Sequence, residues 1–303
     1  MSSNVTIAVE KIAESTTNNN GFEVDPAIAV YQLTDPLLKF SWYPESESLY
    51  LKHLHEIAFS FAFYLFIHIF IAPYLNHLIF GKNYTSIQNR KSKMDFDVHI
   101  VSMFQAFISV AIVLPVIRLP VDLNVATFQN EWCSMVSSVS VGYFIWDFIV
   151  CVSNYNIYGL EFLAHAIGSL YCIGISLYPF VQNWVPKFLI VEASTPFVNV
   201  NWFISQLLRY KVKVPVWLNV INGVLLMTVF FSIRIVWGFT AIGYLSKQIW
   251  ITRYQVPIVH TFLILLLNTL FNCLNLFWFS KMIRIVKKMA MGSKKETKSS
   301  KRD

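Results

Sequence analysis

The amino-acid sequence predicts an all-α, polytopic membrane helix bundle, and its composition and its hydropathy pattern are the observations that predict it. Hydrophobic residues make up 55% of the 303 residues and charged residues only 14%, with a mean hydropathy of +0.52. Soluble domains carry roughly 25% charged residues. A spanning helix needs about 20 apolar residues. Candidate spans lie near residues 57–79, 98–118, 134–153, 160–181, 187–208, 216–239 and 256–280.

The fifth of these seven stretches is the weakest candidate. It contains Glu192, Pro196, Asn199 and Asn201. Irregular backbone is tolerated at membrane depth where protein or a water-filled cavity surrounds it. We therefore expect about seven spans, or six if the 187–208 segment is re-entrant or broken.

The two ends of the chain differ from its apolar middle. Residues 1–50 contain TTNNN and ESES and lack the basic n-region and apolar core of a cleavable signal, so we expect a disordered polar head there. Residues 51–288 form the transmembrane domain, and residues 289–303 form a basic tail. Lys and Arg are concentrated on the side of the membrane that holds this tail, which predicts a cytosolic C-terminus.

The formal net charge of +7 comes without any nucleic-acid-binding motif, so no nucleic acid partner is expected. The basic run that begins at Lys281 is either solvated or in contact with anionic lipid headgroups. Cys133, Cys151, Cys172 and Cys273 form no CxxC pair and have no regular spacing. Neither a disulfide framework nor a zinc site is predicted from them, and no metal or cofactor is expected.

Three ionisable residues, Asp147, His165 and Glu192, lie inside otherwise apolar stretches. A charge in hydrocarbon costs at least about 2.5 kcal/mol, so such residues face a bundle interior or a wet cavity. These three residues are the first candidates for a functional site.

Polar residues also recur at the spacing of one helix face, at about 100° per residue. Such stripes either join neighbouring helices through hydrogen bonds or line a shared polar cavity. They comprise Ser60, Tyr64 and His68 in the first span; Ser102, Gln105 and Ser109 in the second; His165, Ser169, Cys172 and Ser176 in the fourth; Glu192, Thr195, Asn199, Trp202 and Gln206 in the fifth; and Thr261, Asn268, Asn272 and Asn275 in the seventh.

Two pairs of ionisable residues are predicted to meet. Asp147 and His165 flank a short connection and lie at similar depth, so the carboxylate can fix the imidazole tautomer and leave the other nitrogen as a general base. The alternative is a buried pair that only orders the hairpin. Glu192 and Arg234 lie near the same end of the fifth and sixth spans, where an ion pair specifies the helix register. Ser194 or Thr195 is placed to satisfy or use the carbonyl that Pro196 releases.

Three blocks of sequence resemble the TLC-domain family, which includes the ceramide synthases. They are Gly-Tyr-Phe-Ile-Trp-Asp at residues 142–147, Glu-Phe-Leu-Ala-His at 161–165, and Glu-Ala-Ser-Thr-Pro-Phe-Val-Asn at 192–199 followed by Trp202. Arg234, in a Phe-Phe-Ser-Ile-Arg context, also fits. The resemblance covers roughly residues 50–290 and is strongest to the group named TLC-domain-containing protein 4.

The resemblance implies a helix bundle in the endoplasmic reticulum or another endomembrane, a lipid-accessible cavity, and a role in lipid metabolism. The matching block of ceramide synthases carries two adjacent histidines that serve acyl transfer from acyl-CoA to a sphingoid base. Here His165 is followed by Ala166, and Glu192 begins a block that stands in the region of those enzymes' acidic motif. Ceramide synthesis is therefore not expected, while another reaction of Asp147 and His165 stays open.

Three functions are compatible with these features. The first is lipid homeostasis through binding or sensing of membrane lipid in the cavity; the second is a lipid acyltransferase or hydrolase with His165 as general base. The third is a small-molecule transporter, against which the lack of a clear inverted repeat argues. Membrane lipids are the expected partners, and the sequence does not specify an oligomeric state. Candidate catalytic residues are Asp147 and His165; candidate cavity or structural residues are Ser169, Glu192, Ser194, Asn199, Trp202, Arg234, Asn268 and Asn272.

Overall fold

A computed structural model describes residues 33–178 and 180–299, with side chains up to residue 286. Helices are the only regular secondary structure in this described part, which confirms the all-α prediction. Six of its helices are long and apolar enough, by length and composition, to cross a membrane. We number the main helices α1 (Leu54–Phe80), α2 (Arg90–Val116), α3 (Glu131–Ser153), α4 (Tyr155–Leu177), α5 (Thr195–Arg209), α6 (Val216–Ile251) and α7 (Ile258–Ser299, apolar to Val286).

The fifth predicted span is broken, in agreement with the six-span alternative. A short helix, Val185–Leu189, and a 3-10 segment, Ile190–Ser194, precede α5. Pro196 lies in the first turn of α5, where a missing N–H is tolerated, and the Ser194 hydroxyl donates to the Val191 carbonyl at 2.9 Å. The irregular segment packs against α2 and α6, so protein surrounds its backbone.

The sixth span is longer than the hydropathy pattern predicted. We expected it to end near residue 239, with Lys247 in a connecting loop, but the helix continues to Ile251. A π-helical segment, Phe231–Trp237, lies in its middle. Lys247 is exposed on the last turns of the helix while Leu245 is buried, so an amphipathic face replaces the expected loop.

Helices α2 to α7 form a closed ring. Helix α3 packs on α4, α4 on α7, α7 on α6, α6 on α5, α5 on α2, and α2 on α3. Helix α1 packs outside this ring, chiefly against α3. Gly142 of α3 permits the close approach, because a Cβ atom there would lie 2.6 Å from the Ile57 carbonyl oxygen and 2.6 Å from Ser60 Cβ.

The predicted polar head is partly built into the fold. Residues 33–50, which we assigned to the disordered head, carry a 3-10 turn and the buried carboxylate of Asp35. Asp35 lies 3.4 Å from His53 at the start of α1, a tertiary contact that local composition does not encode. Residues 1–32 of the head and 300–303 of the basic tail lie outside the described residues.

Candidate functional site

A cavity of about 560 Å³ lies among the six helices of the ring. Each of α2 to α7 lines it, whereas α1 contributes no lining residue. Its size is within the range of ligand pockets, roughly 300–1,000 Å³, and like them it combines apolar walls with a few polar groups. Nine of the ten candidate residues line it: Asp147, His165, Ser169, Glu192, Asn199, Trp202, Arg234, Asn268 and Asn272.

Arg234 lies in the π-helical segment of α6, a rare geometry that is frequent at functional sites. A network of hydrogen bonds to other elements holds its guanidinium group. Its Nε donates to Ser194 Oγ at 2.7 Å, its Nη2 to Thr195 Oγ1 at 3.3 Å and its Nη1 to Asn275 Oδ1 at 3.5 Å. Ser194, the tenth candidate, is buried and does not line the cavity. It therefore orients the guanidinium group from the side that does not face the cavity.

The predicted ion pair between Glu192 and Arg234 is not direct. The ion pairs within 4 Å in the described part of the chain all involve His53 or His55. Instead, Thr195 Oγ1 donates to Glu192 Oε2 at 2.8 Å and accepts from Arg234. The 3-10 geometry of Ile190–Ser194 accounts for this link, because residues three apart lie one above the other in such a helix.

Asp147 and His165 share the cavity, but they do not form the predicted hydrogen bond. Asp147 Oδ1 accepts a long hydrogen bond of 3.9 Å from Cys151 Sγ. His165 Nδ1 is buried and has no hydrogen-bond partner among the described residues, and its ring centroid lies 5.3 Å from that of Phe271. Gly159, with a φ of 72°, kinks α4 between the two residues. The kink changes the direction of the helix that carries His165. The predicted hydrogen bond assumed a straight hairpin.

The remaining amide and aromatic candidates both line the cavity and connect its walls. Asn199 Nδ2 donates to Ser102 Oγ of α2 at 3.2 Å, and Asn272 Nδ2 to the Gly238 carbonyl of α6 at 3.3 Å. Trp202 stacks on His99 of α2, with ring centroids 3.8 Å apart. Asn268 instead bonds the carbonyl of Ile264 within its own helix at 2.9 Å. These helices are thus joined around the cavity by the residues that line it.

Sequence reasoning missed the residues at one end of the cavity. Lys91 and Glu161 are exposed and yet line it. Lys91 Nζ donates to the Ile157 carbonyl at 3.4 Å, and Trp278 Nε1 donates to Glu161 Oε1 at 3.3 Å. These contacts mark an opening where α2 begins and where α3 and α4 meet. In sequence, charges at the border of a span have the same appearance as loop charges, so no signal identified them.

Comparisons with known proteins agree with this architecture. The family model of the TLC domain matches residues 95–284, which covers most of the α2–α7 ring and leaves out α1. The chain is 51% identical over 259 residues to "Topoisomerase I damage affected protein 4" of Saccharomyces cerevisiae, covering 85% of this chain and 93% of that protein. It is 30% identical over 250 residues to an uncharacterized TLC domain-containing protein of Schizosaccharomyces pombe, covering 81% and 83%.

A shorter match joins the chain to TLC domain-containing protein 4 of Homo sapiens, with 34% identity over 100 residues, covering 32% of this chain and 37% of that protein. The resemblance found in residues 142–147, 161–165 and 192–199 is thus supported by the family match and by similarity along most of the chain. The chain belongs to the TLC-domain family.

Proposed function

We propose that this TLC-domain protein binds a membrane lipid in the cavity of the α2–α7 ring and so acts in lipid homeostasis in the endoplasmic reticulum or another endomembrane. The observation that supports this proposal most is the convergence of nine polar or aromatic candidate residues, from five helices and the 3-10 segment before α5, on one otherwise apolar cavity. A lipid meets both demands of such a site: its chain contacts the apolar walls, and its polar group bonds the buried polar atoms. The positive-inside pattern supports a cytosolic C-terminus, next to anionic headgroups.

His165 indicates where the polar group of the lipid lies. A buried polar atom without a partner costs about 1–3 kcal/mol, and His165 Nδ1 is such an atom. A hydroxyl or amide of a lipid that enters the cavity can supply the missing hydrogen bond. Arg234 and the carboxylates of Asp147 and Glu192 line the same space, so a lipid with both donor and acceptor groups fits best.

Lipid acyl transfer or hydrolysis is the second candidate function, and the free Nδ1 of His165 is the observation that favours it. A general base needs a nitrogen that is not already occupied. Without a hydrogen bond donated to Asp147, the imidazole must take a proton unaided, and the carboxylate acts at most through its charge. Ala166 beside it is buried, so the paired histidines of ceramide synthases have no counterpart at this position.

Lipid binding can be tested with a matched pair of substitutions. Val198→Phe places an aromatic ring in the cavity wall, whereas Val220→Phe places the same ring on an exposed face of α6. We expect lipid extracted from the purified wild type and from V220F to contain a bound species at near-stoichiometric amounts, measured by mass spectrometry. V198F should retain several-fold less. Equal lipid content in all three proteins would contradict the proposal.

The lipidome of cells separates lipid binding from catalysis. Cells without the protein are rescued with wild type, with His165→Ala or with V198F, and their lipids are quantified. We expect deletion to change the lipidome and V198F to fail in rescue. Full rescue by H165A would exclude the enzymatic candidate, and an unchanged lipidome on deletion would contradict both functions.

A further inference from the structure

A second cluster of ionisable residues lies outside the ring, at the start of α1. Asp35, His53 and Glu56 are all buried, and each offers one ligand atom within 4.8 Å of the others. The side chains of Asp35 and Glu56 are fully shielded from solvent, and that of His53 is 2% exposed. None of the three lines the cavity of the ring. The lipid-binding proposal does not account for them.

The hydrogen bonds inside this cluster do not satisfy all of its polar atoms. His53 Nδ1 faces three carboxylate oxygens, at 3.2 Å from each oxygen of Glu56 and 3.4 Å from Asp35 Oδ2. One imidazole nitrogen carries one proton and cannot serve three acceptors. Asp35 Oδ2 is left without a hydrogen-bond partner in the described part of the chain. Buried carboxylates that lack full compensation are costly, so a bound cation or an added proton must balance the cluster.

We propose that Asp35, His53 and Glu56 bind a zinc ion through Oδ2, Nδ1 and a carboxylate oxygen. Zinc lies about 2.0–2.1 Å from carboxylate oxygen and imidazole nitrogen, which separates tetrahedral ligand atoms by about 3.3 Å. The N···O distances of 3.2 and 3.4 Å agree with that ligand–ligand separation, and the ligand oxygens of Asp35 and Glu56 lie within 4.8 Å of each other. A Zn²⁺ ion balances the charges of the two carboxylates and binds the imidazole in its neutral form. Water then takes the fourth coordination position.

The surroundings hold the proposed ligands in place. Asp35 Oδ1, the oxygen not assigned to zinc, accepts from the Leu37 N–H at 2.7 Å. His55 Nε2 donates to the Leu37 carbonyl at 2.9 Å and lies 3.5 Å from Glu56 Oε1. Such outer contacts orient ligands at metal sites. Zinc here ties the segment before α1 to the bundle, because Asp35 belongs to that segment and Glu56 to α1.

A proton on His53 is the alternative to zinc as a source of positive charge. His53 Nδ1 faces the carboxylate oxygens of both Asp35 and Glu56, which stabilise a proton on that nitrogen. Zinc therefore replaces this proton on Nδ1, since a ligating imidazole must be neutral. A cluster that holds only a proton is the competing outcome of the experiment.

The test uses the full-length protein, purified in detergent without a histidine tag, stripped with a chelator and dialysed against zinc. We expect roughly one zinc ion per chain by plasma mass spectrometry in the wild type and at least tenfold less in Asp35→Asn and Glu56→Gln. The control is Glu45→Gln, the same chemical change at an exposed carboxylate, which should bind as the wild type does. Zinc should raise the Tm of the wild type and of E45Q only.

X-ray absorption of the zinc-loaded wild type gives a measurement that does not depend on the folding of any variant. The proposal expects nitrogen and oxygen neighbours at about 2.0–2.1 Å, whereas zinc on a free cysteine shows sulfur at about 2.3 Å. Sulfur ligation, no zinc in the wild type, or equal zinc in the wild type and the two ligand variants would each overturn the proposal.

Discussion

Two regions of this molecule use similar polar residues in opposite ways. Between α1, α2 and α3, the Tyr64 hydroxyl donates to Gln105 Oε1, Gln105 Nε2 donates to Ser109 at 2.7 Å, and Ser60 donates to the Val139 carbonyl at 2.6 Å. Around the cavity of the ring, His165 Nδ1 has no hydrogen-bond partner within the part of the chain that the structure describes. In the first region these hydroxyl and amide groups pair with protein atoms, and we call it the closed region; in the second, His165 lines the cavity with an unpartnered ring nitrogen.

This difference shows that a polar stripe on an apolar helix has no single meaning. The two interpretations of the stripes, contact between helices and the lining of a cavity, both apply: Tyr64 of α1 only joins helices, whereas Asn199 of α5 does both. The stripe of α2 is even divided, since Ser102 lines the cavity while Gln105 and Ser109 are buried among hydrogen bonds toward α1. The two kinds of stripe differ in whether protein atoms satisfy all the hydrogen bonds of the polar side chains.

The closed region should be the less tolerant of added volume, and Gly142→Leu tests this most strongly. A Cβ atom at Gly142 meets the backbone of α1 at 2.6 Å, and backbone cannot move aside as a flexible side chain can. We expect a loss of about 3 kcal/mol in the free energy of unfolding, at the upper end of overpacking effects. Thermal unfolding in detergent or resistance to SDS measures it.

The control is Gly243→Leu on α6, where an added Cβ has no atom within 4 Å and the position is exposed. Leucine favours helix over glycine by roughly 0.8 kcal/mol, so this variant should be as stable as the wild type or slightly more so. If both leucines have the same effect, the contact between α1 and α3 is not the closed interface described above.

The next effect in size belongs to the cavity wall. Arg234→Met removes the charge-assisted hydrogen bonds to Ser194 and Thr195, each of a kind worth about 1.5–3 kcal/mol. We expect a net loss of about 2 kcal/mol, less than the sum of the two bonds, because the variant no longer buries a charge and methionine keeps part of the packing. Unfolding in mixed micelles measures it.

A double-mutant cycle with Glu192→Gln then examines the link through Thr195. An indirect link predicts a coupling free energy of about 1 kcal/mol, whereas a direct buried ion pair predicts about 3 kcal/mol or more. The larger value would restore the ion pair that the sequence predicted. Unfolding of the four proteins in the same micelles supplies the cycle.

The residues changed in these variants also show which parts of the fold and of the site the sequence predicts. Span positions follow from hydropathy, so all seven stretches were located and the weakness of the fifth followed from Pro196 and its polar neighbours. Which faces meet depends on local backbone that composition does not encode. Gly159 redirects α4, and the 3-10 turn at Ile190–Ser194 places Thr195 beside Glu192.

The cluster at the start of α1 was missed for a different reason. Asp35 lies in a stretch whose composition predicts a polar head, and 17 intervening residues separate it from His53. Many zinc sites that a sequence reveals have regularly spaced cysteines. All four cysteines of this chain are free in the structure. Only the folded chain brings Asp35, His53 and Glu56 together.

A smaller effect distinguishes two serines of α3. Ser137 donates to the Cys133 carbonyl and accepts from Ser176 of α4 at 2.8 Å, whereas the hydroxyl of Ser140 donates to the Val136 carbonyl of its own helix. Ser137→Ala should cost about 0.6 kcal/mol, the average of hydrogen bonds between membrane helices. Ser140→Ala should have nearly no effect. Equal losses would show that the bond between α3 and α4 contributes nothing, and both are read from the same unfolding assay.

The smallest effect expected is the coupling between Asp147 and His165. Because they are not hydrogen-bonded to each other, the effects of Asp147→Asn and His165→Gln on unfolding should add within about 0.5 kcal/mol. The same cycle on the amount of bound lipid should also be additive if each residue contacts the lipid separately. A coupling above about 1 kcal/mol in stability would mean that the carboxylate orients the imidazole. That result would move the balance from lipid binding toward catalysis, since an oriented His165 is what a general base requires.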